Sequence, residues 1–173
     1  HMTTLKLFHW FWAWDDDKEE AWLRGMAQKG WHFKSVALPG NYTFEQGEPR
    51  DFVYRLDYFT EKKDILHYLQ IFQDAGWDYM GEMSGWQYFR KEALPGEEMD
   101  IFSDNESKSK KYERILLVLV AILPILIINV INLNKMTDSF AQALTFFFAF
   151  FLAFYAYSII RLGMRVSALK KKL

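Results

Sequence analysis

The chain has 173 residues, is 51% hydrophobic and 25% charged, and contains no cysteine, which excludes disulfide bonds and thiolate chemistry. Its formal net charge of −1 hides a division, because residues 1–102 carry 11 Lys+Arg and 18 Asp+Glu whereas residues 103–173 carry 10 and 4, balances of −7 and +6. Direct nucleic-acid binding needs a basic face, so the acidic N-terminal part argues against it.

The first hundred residues contain one pattern twice, in residues 5–50 and again in residues 51–92. Each copy reads as an aromatic strand, an amphipathic helix, a Gly-Trp pair and a two-stranded hairpin. Gly30 and Gly76 lie where a helix end needs positive φ. One copy buries too little apolar surface to fold alone, so we expect a single α+β head over residues 3–92, with one sheet backed by both helices.

The two predicted helices cover about residues 16–29 and 62–75. Asp16 and Glu19 suit a capping pair at the start of the first helix, and the acids around them are expected to face solvent and the helix dipole. No carboxylate pair can be assigned to catalysis, and no metal-ligand spacing or phosphate-binding loop occurs. The sequence therefore predicts a head that is not an enzyme and has no catalytic residue, metal or cofactor.

The predicted first strand, residues 6–14, has two apolar faces. Trp10, Trp12 and Trp14 alternate onto one face, and other apolar residues occupy the opposite face. A sheet covered by helices on one side needs only one apolar face, so the second face predicts a cover: a ligand, a partner protein, a second copy of the head or the membrane surface. The alternative is that these aromatics fill a two-sided core, and the sequence leaves it open.

Charged residues are mixed into the other aromatic strands of the head. Arg55 and Asp57 share one strand face, and Glu82 precedes the second hairpin. They are either a structural ion pair or polar groups of an aromatic pocket. The predicted ligand-binding or partner-binding residues are Trp10, Trp12, Trp14, Arg55, Asp57, Glu82 and Trp86.

Beyond the head, residues 93–102 read as an acidic linker with Pro and Gly, and residues 103–114 as a cytosolic helical extension that starts with Ser103 and Glu106. Two apolar runs follow, 115–133 and 140–160, each approaching the roughly 20 residues that a helix needs to cross a bilayer core. Buried helices of a soluble bundle are the alternative. The second run argues against it, because its seven Phe and lack of charge leave no polar face.

The flanking charges predict the orientation of this helical hairpin. Nine basic residues flank its two ends, and the connecting loop has only Lys135. Both termini, with the head, are therefore expected on the cytoplasmic side of the cell (inner or plasma) membrane. The basic tail, residues 161–173, is expected to follow the interface. The predicted lipid-headgroup contacts are Lys108, Lys110, Lys111, Arg114, Arg161, Arg165, Lys170, Lys171 and Lys172.

An ordered series of motifs extends over about residues 5–114 and is followed by the hairpin. The motifs are LFHWFWAWDDDKEEAWLRGMAQKGWHFKSV, YTFEQGEP, VYRLDYF, FQDAGWDYMGEMSGWQYFRK and IFSDNESK. The series resembles the bacterial family known as domain of unknown function 2812. The resemblance implies a small membrane-anchored partner of PadR-like transcription regulators, commonly encoded beside them, with no established activity and no catalytic residue to transfer.

The doubled strand-helix-strand-strand order also resembles, by architecture alone, ferredoxin-like and GyrI-like effector-binding domains. The GyrI-like resemblance implies an aromatic cleft with a buried acid that accepts apolar cations, which would suit an acidic head rich in aromatic rings.

Two functions are compatible with these patterns. In the first, the head is a membrane-tethered cytosolic sensor or docking module that binds a small amphipathic or cationic ligand or a PadR-like regulator. In the second, the hairpin is the working part and assembles with copies of itself or with a transporter. The apolar spans contain no charged residue that would mark an ion pathway, which favours the first function.

Overall fold

A computed structural model describes residues 3–94, 105–136 and 138–171 of the chain. The chain divides into two compact units, His1–Ile101 and Phe102–Leu173. Most of the predicted linker and Ser103 of the predicted helix start lie outside the described residues. The first unit is the head, with β1 (Thr4–Phe8), α1 (Asp16–Gln28), β2 (Trp31–Ala37), β3 (Asn41–Gln46), β4 (Phe52–Tyr58), α2 (Ile65–Asp74), β5 (Asp78–Met83) and β6 (Trp86–Glu92). The second unit contains α3 (Asn105–Leu133) and α4 (Ser139–Lys170).

The head contains two antiparallel three-stranded sheets, with strand orders β1-β3-β2 and β4-β6-β5. The two sheets have the same order once each strand is matched to its counterpart in the other copy. Their hairpins even share a register irregularity, between Phe33 and Ser35 in one and between Tyr79 and Gly81 in the other. The α+β class and the duplicated strand-helix-strand-strand order are therefore confirmed, but the prediction of one continuous sheet is wrong.

The two helices pack against opposite faces of the second sheet, which is why they cannot back one common face. Tyr54 and Leu56 of β4 belong to the core that also contains Leu23 of α1. On the other face of this sheet, the Phe72 ring of α2 stacks on Phe89 of β6 with 3.9 Å between centroids. Strand β4 is consequently buried on both faces through most of its length.

The predicted first strand is too long, because β1 ends at Phe8 and residues 9–14 form an irregular connection to α1. The His9 amide still donates to the Gly40 carbonyl at 2.9 Å, and the Asp15 amide then donates to the Trp12 carbonyl in a turn. Within β1 exposure alternates, so only one face of the strand is partly buried. The idea of a strand with two apolar faces therefore fails, although the aromatic side chains of the connection still alternate.

The second unit is a helical hairpin, and its two helices are long and apolar enough to cross a membrane. Their apolar windows bury very little side-chain surface, in contrast to core helices of a soluble bundle. The Tyr155 hydroxyl donates to the Leu119 carbonyl at 2.8 Å and joins the two helices. Helix α4 continues to Lys170, whose ammonium lies 2.5 Å from the Glu113 carboxylate of α3. The tail therefore extends α4 alongside α3, and its position at the membrane interface stays a prediction.

Two equivalent glycines provide a test of the packing in the repeated units. Gly30 and Gly76 both have φ of +83°, as their place after a helix predicts. A Cβ at Gly30 would lie 2.7 Å from the Gly47 carbonyl oxygen, whereas a Cβ at Gly76 would meet only the flexible end of Lys91 at 3.5 Å. We expect Gly76→Ala to cost about 1–2 kcal/mol of the free energy of unfolding, from backbone strain alone, and Gly30→Ala to cost more.

This difference is measured by urea unfolding of the full chain in detergent. All seven tryptophans lie in the head, so their fluorescence reports its unfolding without a signal from the hairpin. Equal losses for the two variants would contradict the close approach of Gly47 to Gly30.

Candidate functional site

The most exposed aromatic feature of the head is a row of three indoles, Trp10, Trp12 and Trp14, here called the indole ladder. The rings of Trp10 and Trp12 meet edge to face with centroids 5.5 Å apart, and those of Trp12 and Trp14 stack with 5.5 Å between centroids and 5° between planes. Trp10 is 49% exposed and Trp12 39%, while Trp14 is half-buried. The ladder thus offers large indole surfaces to solvent from a connection between two regular elements.

The other side of the same connection is anchored to the core. The His9 and Phe11 rings stack with 4.2 Å between centroids and an interplanar angle of 4°. Both also contact Trp22 of α1, at 4.8 Å and 5.6 Å between centroids. Because alternate side chains are held this way, the indoles project from a segment that is packed on its inner side.

Acidic residues follow the ladder directly in the sequence, where α1 begins. Asp15 is the N-cap residue and its carboxylate pairs with Lys18 at 2.8 Å. Asp16 and Asp17 occupy the first turn of α1. Aromatic faces attract cations, and carboxylates nearby strengthen that attraction. Asp16, however, is only 2% exposed, so the expectation that these acids face solvent is wrong for it. The feature that favours a positively charged group is therefore the ring faces of the ladder.

The other four predicted site residues lie on the second sheet and do not join the ladder into one surface. Arg55 and Asp57 face α2: the Arg55 guanidinium lies 5.1 Å from the centroid of the Phe72 ring, and the Asp57 carboxylate accepts from the Tyr68 hydroxyl at 2.9 Å. Each of these two side chains therefore contacts an aromatic residue of α2.

Trp86 and Glu82 occupy two further places. Trp86 is half-buried against the head core, and its ring contacts Tyr58 at 5.6 Å between centroids. Glu82 accepts from the Gly85 amide at 3.2 Å, so its carboxylate supports the β5–β6 turn. It also lines a cavity of about 290 Å³, together with Gln87 and residues near the start of α2. The seven predicted site residues are thus divided among four locations.

Glu19 is a buried acid that the sequence analysis placed wrongly. It is 7% exposed, and its Oε1 atom accepts from the Tyr42 hydroxyl at 2.6 Å and from the Tyr88 hydroxyl at 2.8 Å. The predicted Asp16–Glu19 capping pair is wrong, because the N-cap residue is Asp15 and the Glu19 carboxylate is bound to the two tyrosines. Asp15 itself makes no side-chain capping hydrogen bond. The spacing of Glu19 to Leu23 and Met26 puts all three on one helix face, which is the signal that could have located it.

Burial and hydrogen bonding act in opposite directions on this acid. Burial raises the pKa of Glu19, while the hydrogen bonds from Tyr42 and Tyr88 lower it by a smaller amount. Burial is also the main reason that the pKa values of both tyrosines are raised, followed by the charge of Glu19. Both hydroxyls therefore remain protonated donors throughout the physiological pH range.

In the part of the chain that the structure describes, no group of three or more His, Asp or Glu side chains is arranged to hold a metal ion. A model of the family described as protein of unknown function (DUF2812) matches residues 15–123. The chain belongs to this family. The match begins one residue after the indole ladder and covers the rest of the head. No curated protein and no solved structure matches the chain.

The family description assigns no activity to its members.

Replacing Glu19 tests whether its buried carboxylate stabilises the head. Glu19→Gln keeps an oxygen that both tyrosine hydroxyls can reach and removes the buried charge. Glu19→Ala leaves two buried donors without an acceptor and should cost about 1–3 kcal/mol of the free energy of unfolding.

The two variants should also differ in pH dependence. Because the folded-state pKa of Glu19 is raised above its unfolded value, the contribution of the protonated acid to stability is complete below the unfolded pKa. It is lost as pH rises through the folded pKa. Urea unfolding should therefore show wild type losing stability relative to Glu19→Gln as pH rises above about 4, the ordinary pKa of a glutamic acid. Parallel profiles would contradict a raised pKa.

Proposed function

We propose that this protein is a membrane-anchored sensor or docking module whose cytosolic head binds a small amphipathic cation or a PadR-like regulator. The single observation that carries the proposal is the indole ladder, which exposes Trp10 and Trp12 on a segment whose Phe11 packs against the core. Soluble domains rarely expose adjacent large aromatics without a binding role. A preorganised aromatic surface also binds with a smaller entropic penalty than a mobile one.

A cationic amphiphile is the ligand class that the ladder favours. An indole attracts a cation through its ring face and contacts an apolar group through the same surface. Residues 1–102 carry a net charge of −7, which attracts cations to the head. A PadR-like regulator is the protein partner implied by the family resemblance, and the same surface is the proposed docking site for it.

The membrane anchor of the proposal is the α3–α4 hairpin. Its flanking basic residues support an orientation with both termini, and therefore the head, in the cytoplasm. Lys111 is only 2% exposed, so it is withdrawn from the proposed contacts with lipid headgroups, and Lys172 lies outside the described residues. The exposed Lys110, Arg161 and Lys171 are the better candidates for such contacts.

The second function, a structural or accessory subunit that assembles through its hairpin, has less support. Asn129, Thr145 and Ser158 each donate to a carbonyl four residues earlier in their own helix. These polar groups are satisfied locally, as is common for such side chains in apolar helices. They therefore do not favour assembly with another membrane helix or a second copy.

The ligand proposal is tested with benzyltrimethylammonium, a small amphipathic cation. We expect it to shift the tryptophan emission of the full chain in phosphatidylcholine nanodiscs and to do so saturably, while its uncharged carbon isostere binds much more weakly. Trp12→Ala should remove most of the response. Because Trp12 is part-exposed, this variant should lose much less stability than the roughly 3–5 kcal/mol expected for truncating a core aromatic.

Trp22→Ala is the matched control, because this indole packs in the core against Tyr42 and Phe44. It should destabilise the head strongly. The proposed site is wrong if Trp10→Ala and Trp12→Ala both unfold the head like Trp22→Ala, or if neither the cation nor a purified PadR-like regulator binds to the wild-type chain.

The orientation is tested by cysteine labelling, for which a chain without native cysteine is well suited. In intact cells, Ser167→Cys should be protected from a membrane-impermeant maleimide, whereas Asn134→Cys, beside the loop of the hairpin, should react. Permeabilised cells should label both positions. The reverse pattern in intact cells would place the head outside and exclude an intracellular regulator as its partner.

A further inference from the structure

A second cavity of the head, of about 370 Å³, is lined by charged and polar residues that do not belong to the ladder. Its wall includes His32 of β2, Phe52 of β4, Arg90 of β6 and Arg50 in the β3–β4 connection. The volume is within the range of small-molecule sites. The wall also includes two carboxylates, those of Glu45 and Glu48, so its two guanidinium groups are matched in number by acids.

Arg90 is held in place by an aromatic ring. Its guanidinium lies 4.3 Å from the centroid of the Phe52 ring. Its nearest carboxylate, that of the exposed Asp78, is 3.6 Å away and forms at most a weak ion pair. The Arg90 Nε atom is buried and has no hydrogen-bond partner among the described residues. This buried nitrogen is closed to a ligand, so an oxyanion in the cavity would be bound by the outer nitrogens of the guanidinium, whose side chain is 23% exposed.

Arg50 and His32 are also incompletely engaged. Arg50 is exposed, and its closest carboxylate, Glu92, is 3.9 Å away. The His32 ring is fixed by a 2.8 Å hydrogen bond from Nε2 to the Glu48 carbonyl, while its buried Nδ1 has no partner among the described residues. Two carboxylates also belong to the cavity wall. The Glu45 carboxylate pairs with Lys34, whereas the Glu48 carboxylate would repel a bound anion.

We infer that this cavity binds the oxyanion of a small molecule, a carboxylate or a phosphate, through the guanidinium groups of Arg50 and Arg90. Two forked donors match the paired oxygens of either group, and such charge-assisted hydrogen bonds are stronger than neutral ones. Phe52 positions the Arg90 fork. The inference is independent of the cation-binding proposal because it uses none of the ladder residues.

The test measures binding of inorganic phosphate and of acetate to the full chain in phosphatidylcholine nanodiscs. Thermal unfolding followed by tryptophan fluorescence should show saturable stabilisation by at least one oxyanion, above that of sodium chloride at equal ionic strength. Calorimetric titration should give the corresponding Kd. Removing one charge-assisted pair, in Arg90→Gln or Arg50→Gln, should weaken binding by about tenfold. Arg90→Lys should rescue only part of the loss, because it retains the charge but not the fork.

Lys6→Gln is the matched control: it removes one positive charge from an exposed strand position outside the cavity wall. It should bind like wild type. Arg50→Gln decides the question if Arg90→Gln does not fold, because Arg50 is exposed and has only a weak ion pair. The inference is overturned by an equal loss in Lys6→Gln, by unchanged binding in Arg50→Gln, or by the absence of saturation with both oxyanions.

Nanodiscs with phosphatidylglycerol separate a lipid headgroup from a soluble oxyanion. If a headgroup fills the cavity, these nanodiscs should stabilise wild type but not Arg50→Gln and should abolish the response to added phosphate. If the natural ligand is soluble, the responses should match those in phosphatidylcholine. Either result supports an oxyanion site, and the difference between them identifies the ligand as a lipid headgroup or a soluble molecule.

Discussion

The head depends on one oxygen atom, Glu19 Oε1, which accepts from a tyrosine hydroxyl of each sheet. Tyr42 belongs to β3 and Tyr88 to β6, so the helix that carries Glu19 joins both halves of the repeat. Burying a carboxylate is costly unless hydrogen bonds satisfy it, and here two short bonds do so. Helix α1 therefore bridges the two sheets with one face, while its opposite face remains exposed to solvent. The neighbouring Glu20 carboxylate accepts from the Leu56 amide at 2.8 Å and joins the same helix to β4.

This arrangement explains why two copies with the same order of elements are not packed alike. By strand register, the counterpart of Tyr42 is Gln87, since Val36 pairs with Tyr42 as Glu82 pairs with Gln87. Gln87 lies on the α2 side, where it donates to the Phe59 carbonyl and accepts from the Tyr79 hydroxyl. The first copy uses this position to hold its helix against both sheets, whereas the second uses it to support a loop.

Local signals were sufficient to predict the helices, the two positive-φ glycines and the alternation of aromatics around Trp12, because each depends on residues close in the sequence. The end of β1, the burial of Glu19 and the division into two sheets depend on contacts across 23 to 69 residues, such as those of Tyr42 and Tyr88 with Glu19. Periodicity shows which face of an element is apolar, but not which element covers it. The predicted site residues do not form one surface for this reason. Arg55, for example, faces α2, whereas the sequence analysis placed both helices on the face of the sheet opposite the site.

The ladder and the buried acid are connected by direct contacts. Phe11, between two ladder residues, packs on Trp22, and Trp22 packs on Tyr42 with 4.8 Å between ring centroids. Tyr42 in turn donates to Glu19. A ligand on the outer side of the ladder would therefore bind to a segment whose inner side touches the contacts that hold the two sheets together. In a rigidly packed interior a displacement of that segment is resisted by all of these contacts. The arrangement thus favours binding to a preformed surface over binding that reshapes the head.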